Sequence, residues 1–387
     1  MTKKLFITLF PEFNLVLSNK DVGAIPYHFG RTSGWRGGVL YVKSDAIPPT
    51  PEYSEQVELY AVEPSRFRPW TYVRLLLELG RMSGGIDVLN IYHGNFFSLL
   101  AASVYKLLNP KGLVYCKLDM SHLELELILK GPAGAFASLA YRLKRFLKYC
   151  LSSAVDFFSV EAVQLAEELR GLPFYKNRIY YIPNGFCPGL PINIEDVIEK
   201  KENIVATIGR LGSYPKNTEL FLKALTRLNP SEAGQWKFLF VGEATKQFNG
   251  EVEEILRINP WLRSSISLAG QVNDRSELFK IYSKAKYICM PSRWESFCLV
   301  ILEGMYFGCL PIATGLPSVM DMTNKGELGY VLKSDNEAEL VGTLRSALAE
   351  NRYDRSRARL AHEIVETKFN WQNICAELER IMEKYAC

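Results

Sequence analysis

Short β-rich runs alternate with helical patterns along most of the 387-residue chain, and this alternation is what most constrains its fold. In the first half the runs share β-branched and aromatic residues, and they cover residues 5–10, 38–42, 88–92, 113–117 and 157–160. Helical patterns separate them at 70–80, 97–108 and 138–151, and a second series continues to about residue 349. Strands that alternate with helices predict a parallel, doubly wound sheet. The length suffices for two such domains, each with its own core.

Composition narrows the class of protein. Hydrophobic residues make up 48% of the chain and charged residues 23%, which is typical of a soluble globular protein. No basic motif with interleaved aromatics is present, so no nucleic-acid partner is expected. The eight cysteines show neither Cys-x-x-Cys nor metal-ligand spacing, which predicts reduced thiols in a cytoplasmic protein. We expect neither a signal peptide, since the first apolar run meets Pro11 at once, nor a membrane span.

Two glutamates frame a candidate ligand site near the C-terminal third. Residues 287–290 are typical of a strand end, and a helix is predicted to open near Phe297, between Glu295 and Glu303. Amides at a helix start, with the positive end of the helix dipole, can bind a diphosphate. The two carboxylates can then hold hydroxyls of two sugars, a ribose and a sugar to be transferred. The simpler alternative is that Glu295 caps the helix and Glu303 is a solvated helix residue.

A second element points to the same ligand. Residues 204–211 are typical of a buried strand that runs into Gly209, and a helix is predicted for 216–225. Arg210 and Lys216 therefore lie at the carboxyl end of a strand, where open α/β sheets bind ligands. Arginine offers a fork for phosphate oxygens and lysine a mobile point charge. The alternative is that both are exposed loop residues without a function.

The order of these motifs resembles that of a known enzyme family. Pro183-Asn184-Gly185 is followed by Gly209-Arg210 with Lys216-Asn217, by Phe240-Val241-Gly242, and by the segment from Glu295 to Glu303. This order resembles the C-terminal domain of the GT-B retaining glycosyltransferases of the group-one, or family-four, class. The similarity is good over residues 180–375 and loose over the N-terminal half.

The resemblance implies two doubly wound Rossmann-like domains that face each other across a cleft. Residues 1–185 would bind the acceptor and residues 186–370 the nucleotide sugar, and a helix in 371–387 would cross back to the first domain. The implied reaction moves a sugar from a nucleoside diphosphate to an acceptor hydroxyl with retention of configuration. Glycan or lipid-linked acceptors of bacterial surface polysaccharide or glycolipid synthesis are the implied partners.

The resemblance also carries roles to individual residues. It implies that Arg210 and Lys216 bind the donor diphosphate, that Glu303 holds the ribose, and that Glu295 lies beside the donor sugar. It implies main-chain contacts to the donor at Phe297, Cys298 and Leu299. Three glycines complete the predicted donor site, namely Gly23, Gly209 and Gly242. Cys298 stands where the family usually has glycine, which puts the shape of the donor pocket in question.

The N-terminal half offers fewer candidates. Asp119 follows the fourth predicted strand and is expected to contact the acceptor hydroxyl or to act as a base. It could equally cap a helix that begins near residue 123. His93 and His122 are acceptor-side candidates, and for His93 a structural role is favoured over an acceptor contact. For Gly23 the alternative is a plain turn.

The absence of several motifs shapes the expected chemistry. The chain contains no Asp-x-Asp, so we expect no bound metal, and no cofactor beyond the nucleoside-diphosphate sugar that serves as substrate. Phosphate-loop and dinucleotide-binding motifs are absent as well. Alternatives to a transferase are a nucleotide-sugar epimerase or phosphorylase of the same fold, and a non-catalytic partner that binds a glycan or a membrane.

Residues 139–151 form a basic amphipathic pattern. The pattern places apolar residues on one helical face and surrounds them with four basic residues, Arg142, Lys144, Arg145 and Lys148. Such a helix can lie on an anionic bilayer, which predicts a cytoplasmic protein that is peripheral at the inner face of the membrane. The alternative is that the apolar stripe packs on the first domain and leaves the charges in solvent.

Overall fold

The computed structural model describes residues 3–32, 34–45, 47–187, 189, 191–349 and 352–385 except 131–138, and the side chains of 130 and 139–145 lie outside the described set. The chain divides into two compact units. Met1–Gly185 and Trp371–Cys387 form the first domain, and Phe186–Asn370 forms the second.

The first domain is built on a parallel sheet. Its described strands are β1 (Lys4–Leu9), β2 (Trp35–Val42), β3 (Val57–Val62), β4 (Val88–Tyr92), β5 (Leu113–Lys117), β6 (Phe157–Val160) and β7 (Ile179–Tyr181). Its described helices are α1 (Leu15–Ser18), α2 (Asp21–Arg31), α3 (Pro51–Gln56), α4 (Arg68–Met82), α5 (Phe96–Leu108), α6 (His122–Lys130), α7 (Leu139–Ser152) and α8 (Val163–Arg170), with a 3₁₀ turn at Ser83–Gly85.

The strand order of this sheet is β3-β2-β1-β4-β5-β6-β7, and every described pairing is parallel. The central strands are buried on both faces, since apolar cores lie on either side of the sheet. The chain runs outward from β1 to β3 and then returns to place β4 on the other side of β1. The crevice between the carboxyl ends of β1 and β4 is therefore the topological switch point of the sheet.

The second domain repeats this plan with fewer strands. Its described strands are β8 (Glu202–Ile208), β9 (Lys237–Val241), β10 (Ile266–Gly270), β11 (Ala285–Met290), β12 (Leu310–Thr314) and β13 (Tyr330–Leu332). Its described helices are α9 (Ile194–Glu199), α10 (Thr218–Leu225), α11 (Pro230–Ala233), α12 (Lys246–Ile258), α13 (Arg275–Lys284), α14 (Leu299–Tyr306), α15 (Pro317–Met322), α16 (Glu337–Leu348) and α17 (Arg355–Lys368), with a 3₁₀ turn at Pro260–Ser264.

The second sheet is also parallel, with the strand order β10-β9-β8-β11-β12-β13. Here the chain runs outward from β8 to β10 and returns to place β11 beside β8. The switch point of this sheet therefore lies between the carboxyl ends of β8 and β11.

The last helix, α18 (Trp371–Glu383), belongs to the first domain. Its buried face packs into an apolar cluster that includes Phe29 and Phe157. The indole Nε1 of Trp35 donates to Glu379 Oε1 at 2.6 Å and links β2 to this helix. Burial of one apolar stripe, at about 25 cal/mol per Å², holds such a helix to its domain.

The parallel α/β architecture predicted from the sequence is confirmed, but two strands were missed. Val57–Val62 and Ile179–Tyr181 are the edge strands of the first sheet, and both are only partly buried. Edge strands need no continuous apolar run, so the pattern that marks central strands is weak there. Residues 21–31 form a helix despite Pro26, so Gly23 does not lie in a plain turn. Position 138 of the predicted helix 138–151 lies outside the described residues.

Candidate functional site

Two glycines let the backbone turn sharply at the carboxyl ends of β8 and β9. Gly242 has a φ of +135°, and a Cβ built on it would lie 1.8 Å from the carbonyl oxygen of Gly209. Gly209 itself has a φ of +151°. Any side chain at 242 would therefore displace the neighbouring turn. The two predicted donor-site glycines bring adjacent strand ends together at the switch point.

Lys216 and Glu295 form an ion pair across this switch point. The distance from Lys216 Nζ to Glu295 Oε1 is 2.6 Å, and the side chains are 17% and 13% exposed. Ser292 Oγ donates to the same carboxylate oxygen at 2.8 Å. Glu295 is therefore not a helix cap, and that alternative is wrong. The structure joins the loop after β8 to the loop after β11 through two residues that the sequence had assigned separately.

Arg293, which the sequence analysis did not single out, fastens the same two loops. Its guanidinium lies over the Tyr214 ring at 4.2 Å, and Nη1 donates to the Tyr214 carbonyl at 2.7 Å. Its backbone N–H donates to the Pro215 carbonyl at 2.8 Å. These contacts hold Lys216 in place. A planar cation next to a strand end was the only hint in the sequence.

Asn217 is a further missed residue. It has a left-handed φ of +52°, is 2% exposed, and precedes α10. Its Nδ2 has no hydrogen-bond partner among the described residues. A buried donor without a partner costs about 1–3 kcal/mol, so this amide is available to a ligand oxygen.

Glu303 is buried and doubly bonded. Its Oε1 accepts from Arg275 Nη2 at 3.0 Å, and its Oε2 accepts from the Tyr282 hydroxyl at 2.8 Å. Burial, and then the Glu303 carboxylate, raise the pKa of Tyr282 well above its ordinary value, so the phenol stays a donor. The alternative of a solvated helix residue is wrong. A carboxylate can accept about four hydrogen bonds, so about two acceptor positions of Glu303 remain.

The helix opening lies slightly later than predicted. Cys298 is the residue before α14, which begins at Leu299 rather than near Phe297. The Leu299 N–H already donates to the Phe297 carbonyl at 3.0 Å, although the resemblance assigned it to the donor. Burial raises the pKa of the Cys298 thiol to about 12, so the side chain is neutral at this position. Phe297 and Cys298 are both buried.

Arg210 differs from its neighbours because its side chain is exposed. No carboxylate within the described ranges pairs with it, whereas Lys216 is neutralised by Glu295. Of the two cations predicted to bind the donor, Lys216 is therefore already paired and Arg210 faces solvent.

In the first domain, His93 and Asp119 come together under backbone strain. They follow β4 and β5, with φ of +63° and +44°, and His93 Nδ1 lies 3.9 Å from Asp119 Oδ2. Non-glycine residues in this region cost about 1–3 kcal/mol each and cluster at functional sites. Asp119 does not cap α6, so that alternative is wrong. Ser121 does, with Oγ accepting from Glu124 N while the Glu124 carboxylate accepts from Ser121 N.

A buried charge cluster, which the sequence analysis missed, holds the backbone next to Asp119. Lys117 and Glu161 are fully buried and 2.9 Å apart, and Glu161 Oε2 accepts from the Met120 N–H at 3.3 Å. Burial opposes the charge of Lys117 most strongly, but Glu161, Tyr115 and Asp21 together outweigh it and raise the pKa of the ammonium. The signal in the sequence was a lysine that ends an otherwise apolar strand.

Asp21 belongs to the same neighbourhood. It is 6% exposed, and its Oδ2 has no partner among the described residues. Burial, followed by repulsion from Asp119, raises its pKa to about 6.

The remaining two candidates have local explanations. Gly23 lies inside α2, where a Cβ would come within 2.4 Å of the Ser18 backbone, so close packing already requires glycine there. His122 is the first residue of α6, and its buried Nδ1 has no partner in the part of the chain that the structure describes. Neither residue is thereby tied to a ligand, and both roles stay predictions.

Comparison with known families decides the identity of the second domain. Residues 192–367 match the family model described as "Glycosyl transferases group 1". The second domain is therefore similar to the members of this family. The resemblance inferred from the sequence is confirmed at that level.

Curated proteins that resemble this chain match it over less than half of its length. A Campylobacter jejuni protein named GalNAc-alpha-(1->4)-GalNAc-alpha-(1->3)-diNAcBac-PP-undecaprenol alpha-1,4-N-acetyl-D-galactosaminyltransferase is 27% identical over 46% of this chain and 50% of its own. A glycogen synthase of Mycobacterium tuberculosis is 26% identical over 45% of this chain and 41% of its own. The chain thus spans half or less of these relatives.

Solved structures match the chain along nearly its whole length. Sucrose-phosphate synthase from Thermosynechococcus elongatus has a TM-score of 0.71 at 18% identity and covers 99% of both chains. HepE of Anabaena, solved with UDP and glucose, has a TM-score of 0.70 at 15% identity and covers 98% of this chain and 100% of its own. At these identities the likeness shows the fold, and it confirms the predicted GT-B class of two Rossmann-like domains.

Neither a metal-binding cluster nor a membrane-spanning helix occurs among the described residues. No group of three or more histidines, cysteines, aspartates or glutamates is arranged to hold a metal ion there. No described helix is both long enough and apolar enough to cross a bilayer.

Proposed function

We propose that this protein is a retaining glycosyltransferase that moves a sugar from a nucleoside-diphosphate donor to an acceptor hydroxyl. The observation that carries the proposal is the Lys216–Glu295 ion pair at the switch point of the second sheet, with Arg210 exposed beside it. A lysine and an arginine at a strand end suit a diphosphate. A carboxylate on the facing loop suits the hydroxyls of the transferred sugar.

The proposed reaction is a front-face substitution. The bond between the anomeric carbon and the diphosphate oxygen breaks, and a bond from the acceptor oxygen forms on the same face of the sugar. The acceptor's proton passes to the departing phosphate oxygen, so no protein nucleophile is needed. Arg210 and Lys216 meet the charge that develops on the diphosphate, and the Lys216–Glu295 pair holds the ammonium in place before the donor binds.

Metal independence is part of this proposal, because the charge on the leaving group is met by protein cations and helix amides. We expect turnover to persist in excess EDTA, with at most a modest stimulation by Mg²⁺. Initial rates with and without chelator test this. Complete loss of activity in EDTA that Mn²⁺ restores would overturn the metal-free scheme.

We propose a glycan or lipid-linked acceptor in surface polysaccharide or glycolipid synthesis. The Campylobacter relative's name specifies a polyprenyl-diphosphate-linked saccharide, and HepE was solved with UDP and glucose. These ligands support the class of donor and acceptor proposed here and belong to those proteins.

The experiment that tests the proposal follows the donor and the product together. The protein is incubated with a panel of nucleoside-diphosphate sugars, and nucleotide release is measured with and without a mixed glycan extract. Acceptor-dependent release, with a product whose anomeric proton coupling matches the donor, is the expected result. Formation of sugar 1-phosphate from the glycan extract and added inorganic phosphate, with no nucleotide sugar consumed, would instead favour a phosphorylase. A change in sugar configuration without nucleotide release would favour an epimerase. Nucleotide binding with no turnover would leave the non-catalytic alternative.

We further propose that the first domain attaches reversibly to anionic membrane, because apolar side chains on α7 face solvent. Phe146 and Leu147 are 61% and 44% exposed, and on the neighbouring α6 Leu127 is 72% exposed. The predicted apolar stripe is therefore not wholly packed on the domain. Lys148 is exposed too, while the side chains of Arg142, Lys144 and Arg145 lie outside the described residues.

Each basic residue near an anionic surface contributes about 1 kcal/mol, so attachment should weaken with salt. We expect sedimentation with vesicles that contain anionic lipid at low ionic strength, and its loss in Phe146→Ser/Leu147→Ser. Leu107→Ser/Leu108→Ser is the matched control, since these residues are also exposed but on α5. Equal recovery of the wild-type protein in the supernatant with and without vesicles would leave a soluble enzyme with a soluble acceptor.

A further inference from the structure

A cavity of about 260 Å³ lies at the amino-terminal edge of the second sheet. It is lined by residues at the start of β8 and β11, by the residue before β9, and by the ends of α9, α16 and α17 that face them. Every lining residue belongs to the second domain. The Lys216–Glu295 pair lies at the opposite edge of this sheet, and a strand as long as β8 separates the two edges by roughly 20 Å.

Cations dominate the lining of this cavity. Two lysines and two arginines line it, and Glu199 is the one carboxylate among its described lining residues. The four cations are Lys201, Lys286, Arg352 and Arg355. Both arginines and Glu199 are exposed at the mouth, whereas both lysines are partly buried. The cavity therefore has an excess of positive charge.

The two lysines are held in different ways. Lys201 Nζ donates to the carbonyls of Tyr282 and Ala285 at 2.7 and 2.6 Å and to a neighbouring thiol sulfur at 3.3 Å. These acceptors use all three ammonium hydrogens, so Lys201 contributes charge but no free donor. Lys286 Nζ donates to Asn203 Oδ1 at 2.6 Å, and hydrogens of its ammonium remain for a ligand.

Two aromatic rings fix the position of Lys286. Its Nζ lies 5.6 Å from the ring centroid of Trp236 and 5.7 Å from that of Tyr353. Both rings are anchored, since Trp236 Nε1 donates to the Leu348 carbonyl at 3.0 Å and the Tyr353 hydroxyl donates to the Gly308 carbonyl at 2.8 Å. The ammonium is therefore ordered before any ligand arrives, which lowers the entropic cost of binding.

The positive charge of the cavity lacks a counter-charge. Burial lowers the pKa of Lys201, and burial followed by the charge of Arg355 lowers the pKa of Lys286. The described acids nearest to these cations in the sequence are paired elsewhere: Glu195 with Arg359, Glu202 with Lys284 and Asp354 with Arg357. Partly desolvated cations without a counter-charge are stabilised by a bound anion.

Size and charge restrict the kind of anion. The volume of about 260 Å³ is below the roughly 300–1,000 Å³ of pockets for drug-sized ligands, so a compact ion fits better than a whole nucleotide. A phosphate group carries about two negative charges and three strong acceptor oxygens. Arginine and lysine suit such oxygens, whereas a neutral sugar would leave the charges of the cavity unused.

We propose that this cavity is a second ligand site of the protein, which binds a compact phosphate-bearing anion through Lys286, Arg352 and Arg355. Lys201 adds its charge from the buried side. The inference goes beyond the proposed function, because it requires neither a sugar nor a transfer reaction. Inorganic diphosphate and a small phosphate ester share the chemistry that the cavity recognises.

Calorimetric titration of the full chain with inorganic diphosphate and with glycerol 3-phosphate tests the inference. Excess UDP is present throughout, because the predicted donor site also offers cations to a phosphate. We expect saturable binding of at least one of the two anions. Tighter binding of diphosphate would identify an inorganic ligand, and tighter binding of glycerol 3-phosphate a phosphate ester.

Substitutions show where the anion binds. Lys286→Met keeps an unbranched stem between the two rings and removes the charge, so it should weaken anion binding about tenfold. Lys284→Met is the matched control, because it removes the same charge from an exposed pair with Glu202 outside the cavity. Arg352→Gln changes an exposed side chain and repeats the test in case Lys286→Met melts at a lower temperature.

Equal anion affinity in Lys286→Met, Arg352→Gln and Lys284→Met would overturn the inference and leave the donor proposal intact. Displacement of the anion by UDP would overturn it too, since the anion would then occupy the predicted donor site. The absence of saturable binding at millimolar concentrations of either anion would have the same consequence. A protein that binds the anion in this cavity but binds no nucleoside diphosphate would keep the inference and lose the proposed transferase.

Discussion

The two switch points of the molecule share a topology and differ in chemistry. In the second domain, the crevice between β8 and β11 is crossed by the Lys216–Glu295 ion pair, with Arg210 exposed nearby. In the first domain, the corresponding crevice between β1 and β4 opens into a cavity with aromatic walls. The rings that line this cavity belong to Phe10, Tyr72, Tyr92 and Phe97. One doubly wound plan thus provides a charged crevice and an aromatic one, because function resides in the side chains after the strands and not in the sheet.

The difference also concerns where strain is stored. Around the second-domain site, the tight turns at Gly209 and Gly242 are made by glycines, which adopt positive φ at little cost, and Asn217 also holds a positive φ there. In the first domain, His93 and Asp119 hold positive φ with full side chains, next to a buried Lys117–Glu161 pair. Holding these side chains in position therefore lowers the free energy of unfolding of the first domain.

Removal of the paired cation should have the largest effect. Lys216→Ala takes away a charge that meets the leaving diphosphate, and the loss of one such contact costs on the order of 10²-fold in turnover. Initial rates at saturating donor measure this. Lys223→Ala, an exposed lysine of the adjoining α10, is the control and should behave as the wild type. Equal rates for the two variants would show that the charge of Lys216 does not contribute to turnover.

Glu303 tests whether a buried carboxylate serves structure and ligand together. Glu303→Ala leaves Tyr282 and Arg275 without their acceptor, which should lower the free energy of unfolding by about 2–3 kcal/mol and weaken nucleoside-diphosphate binding. Urea titration and calorimetric titration measure the two effects. Glu277→Ala removes only an exposed pair with Lys280 and should change either by little. Unaltered nucleotide affinity in Glu303→Ala would assign the residue to structure alone.

Asp21 tests the strained side of the comparison through pH. Its pKa in the folded protein is about 6, against an ordinary 3.8, so the folded state binds more protons between these values and stability falls as pH rises through that window. Asp21→Asn should therefore raise the free energy of unfolding above pH 6, by roughly 1–3 kcal/mol, and have little effect below pH 4. Thermal melts across this range measure it, with exposed Asp45→Asn as the control. A pH-independent difference would show that the Asp21 carboxyl is not perturbed.

The smallest expected effect separates backbone strain from side-chain chemistry. Asp119→Gly relieves the φ of +44°, and Asp119→Ala does not, so the glycine variant should be more stable than the alanine variant by about 1 kcal/mol. Chemical denaturation of both variants measures the difference. If Asp119 contacts the acceptor, both variants lose transfer to a similar degree in spite of their different stabilities. A glycine variant that is stabilised and fully active would leave Asp119 without a role in the reaction.

The parallel α/β class could be predicted from the sequence alone. Central strands buried on both faces have a continuous apolar pattern, and this pattern can be read without knowing any distant contact. It also indicated the second-domain site, since Gly209, Arg210, Lys216, Glu295 and Glu303 form local motifs in a recognisable order. The edge strands Val57–Val62 and Ile179–Tyr181 escaped because half-exposed strands have no such pattern.

Which of these residues contact one another could be learned only from the tertiary structure. Lys216 and Glu295 are 79 positions apart in the sequence. The pairs Arg36–Glu58 and Lys117–Glu161 also cannot be predicted from the sequence, because only the sheet brings their strands together. The aromatic cavity likewise joins residues after β1 and β4 with two helices, and no local pattern marks them as neighbours. The physical reason is that burial and periodicity are local properties of the chain, whereas ion pairs, strain and cavities depend on the strand order, which the packing of the whole domain selects.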